Sequence, residues 1–168
     1  MTKLQDDELI IRGGAASELD AAWTIWSEAC IAAGRGPGSA ATLGRIKHRL
    51  SLESTALFFA VRDDEIVGVT MLAQACDKLR KGAPIEGLGH ISTVAVKPAF
   101  WGRGIAQALL AKALREASLR KYRRVQLWVN GWNTRGMRLY EYLGFSKTAD
   151  QQLDDYGKVM HRYELTLK

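Results

Sequence analysis

The sequence predicts one α+β (mixed α/β) domain with a central sheet of about seven strands and about four helices on its faces. Apolar residues recur with strand periodicity in about seven segments and with helical periodicity in about four. The 168 residues match the length of a single domain, so residues 1–168 are assigned to one domain. No internal repeat or low-complexity segment divides the chain.

A strand and two helices are expected in the first third of the chain. Residues 8–12 form the strand, and residues 17–33 form the first helix with Ser17 as its N-cap. The glycines of residues 34–39 end that helix. A second helix follows over residues 39–52, with apolar side chains on one face.

Three strands are expected next. Residues 56–62 and 65–75 are joined by two aspartates, a connection short enough for an antiparallel hairpin. A basic, glycine-bearing loop over residues 78–84 separates them from a strand at residues 88–97. That strand ends at a proline, which restricts the residue before it to extended backbone.

The second half of the chain continues with an amphipathic helix after Gly104 and a strand at residues 124–130. A helix at residues 134–143 precedes Gly144, which is placed to end it in the left-handed conformation. Two strands, at residues 145–148 and 159–167, complete the sheet. The amphipathic helix carries an apolar stripe formed by Ala106, Leu109, Leu110, Ala113, Leu114 and Ala117.

Composition excludes several classes of protein. A hydrophobic content of 47% with 25% charged residues is typical of a water-soluble globular protein. No run approaches the roughly 20 apolar residues that cross a bilayer, and the first residues do not resemble a secretory signal. The sequence therefore predicts a cytoplasmic protein without a membrane partner. Cys30 and Cys76 show no metal-ligand spacing, so no metal is expected and both are assigned to the core.

The net charge of +6 favours an anionic partner. Part of this charge lies where the amphipathic helix ends, which allows two interpretations. The cations either complement the helix dipole or attract a phosphate-bearing cofactor. A nucleic acid is another anionic partner, but only the charge suggests it and no motif supports it. The cations concerned are Arg115, Arg120, Lys121, Arg123 and Arg124.

The most informative segment is residues 94–110, where an apolar strand leads through a glycine-rich loop into the amphipathic helix. A helix N-terminus carries backbone N–H groups without helical partners and the positive end of the helix dipole. Gly102 and Gly104 let the backbone approach a ligand closely. This order predicts an anion site suited to a pyrophosphate.

A second group of residues follows the strand at 124–130. Asn133 is placed to cap the next helix, and its amide can also face a ligand. Tyr140 lies about two turns further along the helix. Taken alone, each of these residues also has a purely structural interpretation. Asn133 is then a simple helix cap, and Tyr140 is a half-buried aromatic side chain.

Together the two groups resemble the GNAT superfamily of acetyl-CoA-dependent N-acetyltransferases. The cofactor motif of that family falls on Trp101, Gly104 and Ala106. Its later motif falls on Asn133, Gly136, Leu139, Tyr140, Gly144 and Phe145. Trp101 is a departure, because the family has Arg or Gln at that position, and Arg103 is a candidate to compensate for it. The resemblance implies a mixed, mostly antiparallel sheet and acyl transfer from acetyl-CoA, without a metal, to an amine.

The resemblance also implies roles for individual residues. The strand residues Val94, Ala95 and Val96 would contact the pantetheine arm, and one of their N–H groups would stabilise the oxyanion. The loop and first helical turn would hold the pyrophosphate through Gly102, Arg103, Gly104, Ile105, Ala106 and Gln107. Asn133 would contact the cofactor, and Tyr140 would protonate the leaving thiolate, since a phenol keeps its proton at neutral pH.

The resemblance implies that the general base comes, directly or through water, from the strand before the glycine loop, where Glu86 and His90 are the two candidates. Imidazole exchanges protons near neutral pH, and strand alternation places His90 on one face with Ser92 and Val94 unless a bulge intervenes. A structural histidine and a solvated loop carboxylate are the alternatives for these two side chains.

The acceptor is expected to be a small-molecule or peptide amine. The resemblance implies that residues 34–39, between the first two helices, form part of its binding pocket. Candidates are a metabolite amine, an aminoglycoside-like compound, an amino acid, or a protein N-terminus or lysine. Dimers are common in the family, so a homodimer is a possible state. A non-catalytic acyl-CoA-binding or regulatory domain is the alternative function. Four tryptophans serve either the core or the acceptor pocket: Trp23, Trp26, Trp128 and Trp132.

Overall fold

The computed structural model describes residues 8–77 and 82–168, which form a seven-stranded sheet with four α-helices. The strands are Ile10–Gly14 (β1), Ala56–Arg62 (β2), Glu65–Cys76 (β3), Pro84–Val96 (β4), Arg124–Asn130 (β5), Ser146–Leu153 (β6) and Val159–Thr166 (β7). The helices are Leu19–Ala32 (α1), Ala40–Ser51 (α2), Ile105–Leu119 (α3) and Thr134–Tyr142 (α4).

The strand order is β1-β2-β3-β4-β5-β7-β6, and the pairs are antiparallel except for β4 with β5. This architecture confirms the predicted α+β fold with a mostly antiparallel sheet. Of the basic loop expected at residues 78–84, residues 78–81 lie outside the described residues.

Two apolar clusters cover the two faces of the sheet. On one face, α3 buries the predicted stripe against β2–β5, with Leu109 and Leu110 fully buried. On the other face, α1 and α2 pack Ile25 and Ile46 against strand residues that include Phe59. Burying apolar surface contributes roughly 25 cal/mol per Å², so these two clusters fix the helices to the sheet.

Several element boundaries differ from the prediction. β4 begins at Pro84 and not at residue 88, because it already pairs with Cys76 of β3 there. β6 runs to Leu153 because backbone pairing with β7 extends a polar edge strand that has no apolar pattern. β1 extends to Gly14, where a Cβ would come within 2.6 Å of the Phe59 ring.

The prediction that Ser17 caps the first helix is wrong. A single 3-10 turn, Ala16–Glu18, precedes α1, and Ser17 lies inside it. The Glu18 carboxylate accepts a hydrogen bond from the Ala15 N–H at 2.9 Å and pairs with Arg12. A carboxylate thus satisfies the exposed N–H, and a serine at this point is not needed as a cap.

Three turn predictions are confirmed. Asp63 and Asp64 both have positive φ, as a tight hairpin turn requires, and they join β2 to β3 antiparallel. Asn133 caps α4 by accepting a hydrogen bond from the Gly136 N–H at 2.9 Å. Gly144 follows α4 with a φ of 97°.

The basic cluster is largely paired with carboxylates. Arg120 bonds to Glu116 one helical turn earlier, and Arg124 bonds to Glu164 on β7. The cluster lies at the C-terminal end of α3, whose 15 residues span about 22 Å from the glycine loop. This placement favours the helix-dipole interpretation over attraction of a cofactor.

Candidate active site

The sheet splits between its two parallel strands. β4 and β5 pair only at Leu88–Arg124, Gly89–Val125 and His90–Gln126. Beyond His90, no further pair joins β4 to β5 in the part of the chain that the structure describes. The polar backbone groups of β4 that face β5 are therefore open to a ligand that carries amide groups.

A bulge in β4 accompanies the split. Met71 pairs with Ser92 and Val69 with Ala95, so Thr70 of β3 faces both Thr93 and Val94. Thr93 has a φ of 56°, which is unusual for a β-branched residue. The surrounding sheet stabilises this strained conformation. The extra residue bends the strand at the point where it leaves β5.

The bulge changes which side chains share a face. Ser92 accepts a hydrogen bond from Arg49 of α2, whereas Val94 packs against the cluster under α3. The expectation that His90, Ser92 and Val94 share one face therefore fails at Val94. His90 and Ser92 precede the bulge and keep the α1–α2 face.

The glycine loop lies at the end of β4. Gly102 and Gly104 both have a φ of 77°, and Gly104 directly precedes α3 without a side-chain cap on the first turn. The first N–H groups of α3 are therefore available to an anion. The Trp101 indole N–H donates to the Val96 carbonyl at 2.7 Å and so fastens the loop to the end of β4.

Helix α4 brings the second motif to the α3 face of the sheet. Tyr140 is buried in the cluster under α3, edge to face with Phe145 at 6.1 Å and near Tyr163 at 6.4 Å. Burial raises the pKa of Tyr140 to about 12, so the phenol keeps its proton at neutral pH. Gly136 gives the Asn133 cap room, since a Cβ there would come within 2.6 Å of its amide nitrogen.

The two general-base candidates lie in different surroundings. His90 is buried, with Nδ1 3.4 Å from the Gln126 amide nitrogen, on the last residue pair before the split. The Glu86 side chain is 95% exposed at the beginning of β4, and its carboxylate pairs with Arg123 at 3.8 Å. The structure brings His90 to the split but leaves Glu86 on the far side of the paired segment.

The loop between α1 and α2 covers the same face as His90. The Arg35 guanidinium lies over the rings of both Trp26 and Trp132, at 5.9 and 5.3 Å from their centroids. The Asp154 carboxylate is 3.7 Å from Arg35 and is held by Asn130 at 2.7 Å. Hydrogen bonds to Asp154 from the N–H groups of residues 156 and 158 help to keep the pKa of this carboxyl low despite its burial.

Three of the four tryptophans considered for the acceptor pocket divide between core and surface. Trp23 and Trp26 stack at 5.5 Å and pack against the α1–α2 cluster, and Gly38 passes over both rings so closely that a Cβ would clash. Trp132 is 44% exposed. Cys30 is buried and Cys76 is half-buried, so the core assignment holds fully only for Cys30.

The sequence analysis missed Arg49 and Arg135. Arg49 is a buried cation on α2 whose guanidinium reaches Ser92, the residue before the bulge. An arginine three residues after Ile46, on the apolar side of α2, was the available signal. Arg135 lies in the first turn of α4, and only the folded chain brings it to the glycine loop.

Residues 8–77 and 82–168 contain neither a cluster of metal ligands nor a membrane-spanning helix. No group of three or more His, Cys, Asp or Glu side chains is placed to hold a metal ion. None of the described helices is both long and apolar enough to span a bilayer.

Comparison with solved structures defines the class of fold. The ribosomal-protein-S18-alanine N-acetyltransferase of Escherichia coli superposes with a TM-score of 0.74 at 19% identity, covering 95% of this chain and 94% of that chain. The Salmonella typhimurium protein yncA, whose structure holds its cofactor acetyl-CoA, superposes with a TM-score of 0.72 at 20% identity. The superposition covers 95% of this chain and 94% of that chain. The fold is that of the N-acetyltransferases.

Comparison at the level of sequence then identifies the family. Residues 19–145 match the acetyltransferase (GNAT) family. This chain therefore belongs to the GNAT family of acetyltransferases. Mycothiol acetyltransferase from Kineococcus radiotolerans is 45% identical over 64 residues, which cover 38% of this chain. The match spans about a fifth of that relative, 21% of its length.

Proposed function

We propose that this chain transfers the acetyl group of acetyl-CoA to an amine by direct attack in a ternary complex. The open edge of β4 beyond the bulge carries the proposal, because it lies between the glycine loop and the α1–α2 face. A thioester bound along that edge would have the phosphate site at one end and the acceptor face across the sheet. Holding both reactants there supplies much of the rate acceleration.

The cofactor contacts follow from the open backbone groups. Val94, Ala95 and Val96 would pair with the pantetheine amides, and the N–H groups at residues 102–107 would hold the pyrophosphate. The Asn133 side chain would contact the cofactor while it caps α4. One N–H group of the bulged segment would stabilise the oxyanion of the tetrahedral intermediate.

His90 is the preferred general base, acting directly or through a water molecule. It lies on the acceptor face at the split, with its ring oriented by Gln126. The base removes a proton from the acceptor ammonium, and the amine then attacks the thioester carbon. Glu86, at the other end of the paired segment, is the second candidate.

Tyr140 would stabilise the leaving sulfur. Its pKa of about 12 lies above the value of roughly 8.5 for a thiol, so the phenol acts first as a hydrogen-bond donor to the thiolate. The carbon–sulfur bond breaks, the phenol hydrogen bond stabilises the developing thiolate, and the second proton of the attacking nitrogen passes to the sulfur, which leaves as the CoA thiol. Burial keeps this donor protonated over the working range of pH.

The decisive experiment measures release of free CoA from acetyl-CoA with a panel of amines. The panel contains an α-amino acid, an aminoglycoside, a peptide with an N-terminal alanine and the amine acceptor of mycothiol acetyltransferases. The last two follow the names of a ribosomal-protein-S18-alanine N-acetyltransferase and a mycothiol acetyltransferase among the similar proteins. Amine-dependent release supports the proposal. Tight CoA binding without transfer to any amine would instead support the non-catalytic alternative.

A further inference from the structure

Arg103 lies within the glycine loop and Arg135 lies beside it, and each guanidinium lies over an aromatic ring. The Arg103 guanidinium is 5.2 Å from the Phe100 ring centroid, and the Arg135 guanidinium is 5.9 Å from that of Trp101. Both arginines are exposed. Among residues 8–77 and 82–168, no carboxylate oxygen lies within 4.0 Å of either one. Both charges are thus available to an anion.

Arg135 is the cation that overlies the loop itself. It belongs to the first turn of α4, two residues after Asn133, and it reaches across to the loop before α3. Its Nη2 lies 3.5 Å from the position of a Cβ built on Gly102. Arg103, in contrast, lies back on Phe100, the residue before Trp101.

The indole of Trp101 supports this position of Arg135. The indole N–H donates to the Val96 carbonyl, which fixes the ring at the end of β4. A fixed ring presents its face to the guanidinium at a distance typical of a cation–π contact. The indole therefore limits where the Arg135 guanidinium can go without neutralising its charge.

We propose that Arg135, positioned on the indole of Trp101, binds the pyrophosphate of the CoA thioester. A guanidinium offers paired N–H donors that match phosphate oxygens, and here it complements the backbone N–H groups of the loop. Trp101 is then a positioning residue, and the loop receives its cation from α4. This inference rests on the proposed function, since it assumes that CoA binds at the glycine loop.

The first test measures the affinity for CoA by calorimetry, which needs no acceptor. Arg135→Gln is expected to weaken CoA binding about five- to twentyfold, the loss of a charge-assisted hydrogen bond at an exposed site. Arg138→Gln is the matched control, because it removes the same charge from the same helix one turn later. We expect it to change the affinity less than about twofold, as a weak long-range charge effect.

Dephospho-CoA, which keeps the pyrophosphate and lacks the 3′-phosphate, locates the contact. The loss caused by Arg135→Gln should be the same with dephospho-CoA as with CoA. A loss that disappears with dephospho-CoA would assign Arg135 to the 3′-phosphate and overturn the proposal. Equal CoA binding by the wild type and Arg135→Gln would also overturn it while leaving the proposed function intact. A wild type that binds no CoA would overturn both.

The role of Trp101 is tested by a double-mutant cycle. Trp101→Ala should weaken CoA binding in the wild type but much less in the Arg135→Gln background, because it acts through Arg135. Trp101→Phe, which keeps an aromatic face, should lose less affinity than Trp101→Ala. Equal losses from Trp101→Ala in both backgrounds would show that the ring acts independently of Arg135, against the proposal.

Discussion

At the scale of single residues, burial decides how Tyr140 can act. The ring packs among Phe145 and Tyr163, and the resulting desolvation keeps the phenol neutral well above pH 10. The position of this tyrosine was predicted from the motif, but its degree of burial was not. Under the proposed mechanism, the raised pKa would keep the hydroxyl protonated as a hydrogen-bond donor to the leaving sulfur.

Tyr140→Phe removes that donor without emptying the core. We expect kcat to fall about a hundredfold, the usual contribution of a positioned acid, while CoA affinity stays unchanged. Initial rates of CoA release with the best acceptor of the panel would measure this. Tyr142→Phe is the control, since that side chain is 75% exposed. An unchanged kcat in Tyr140→Phe would remove this tyrosine from the mechanism.

At the scale of secondary structure, Gly102 and Gly104 both have positive φ in the loop that is proposed to bind the cofactor. The left-handed conformation at Gly104 would strain any residue with a Cβ, although the space around it is open. The sequence predicted the loop because the two glycines stand between an apolar strand and an amphipathic helix.

Gly104→Ala should lower the free energy of unfolding by about 1–2 kcal/mol through left-handed strain. It should also weaken CoA binding, because a methyl group would stand at the anion site. Gly157→Ala gives the matched comparison, since Gly157 has a φ of 75° and equally open surroundings in the β6–β7 turn. We expect the same loss of stability there with unchanged CoA affinity. Equal CoA affinity in both variants would contradict the assigned site.

Two substitutions of Asn133, the residue that caps α4, distinguish an effect on stability from an effect on CoA binding. Asn133→Ala loses the cap and should cost about 1 kcal/mol of stability together with CoA affinity. Asn133→Ser keeps a capping oxygen but loses the amide, so it should lower CoA affinity at nearly unchanged stability. Chemical denaturation and calorimetry on the two variants measure both effects. Full CoA affinity in Asn133→Ser would limit Asn133 to its structural role.

At the scale of the whole molecule, distant segments meet over the proposed acceptor face. Asp155 in the β6–β7 turn accepts hydrogen bonds from Arg45 and Thr42 of α2 and from Ser39 before it. Tyr156 of the same turn donates to the Pro37 carbonyl at 2.9 Å. These contacts join residues more than 100 positions apart, and no local pattern in the sequence could indicate them.

Asp155→Asn should therefore loosen the α1–α2 loop. The pKa of Asp155 is lowered to about 2, chiefly by Arg45, so its stabilising contribution is present above pH 4 and is lost as the pH falls through 2. We expect Asp155→Asn to lower the free energy of unfolding by about 1 kcal/mol at pH 7 and to match the wild type near pH 2. A difference that persists undiminished at pH 2 would rule out this electrostatic origin.

Periodicity and turn chemistry made most of the fold predictable. The α3 stripe, the two-aspartate hairpin, the Asn133 cap and the glycine after α4 each follow from interactions within a few residues. The full length of the polar edge strand β6 and the early start of β4 were not predicted, because backbone pairing alone defines them. The homodimer expected from the resemblance stays a prediction, which light scattering would test.

The order of the elements, the glycine loop and the Asn133–Tyr140 helix could be predicted from the sequence, because these depend on local backbone geometry and side-chain periodicity. The folded arrangement was needed to reveal the bulge at Thr93, the split after His90 and the faces that His90 and Val94 take. It also decided that Arg135 lies over Trp101 beside the glycine loop. The reason is physical: strand register and contacts between α3, α4 and the sheet arise from packing between segments far apart in the chain.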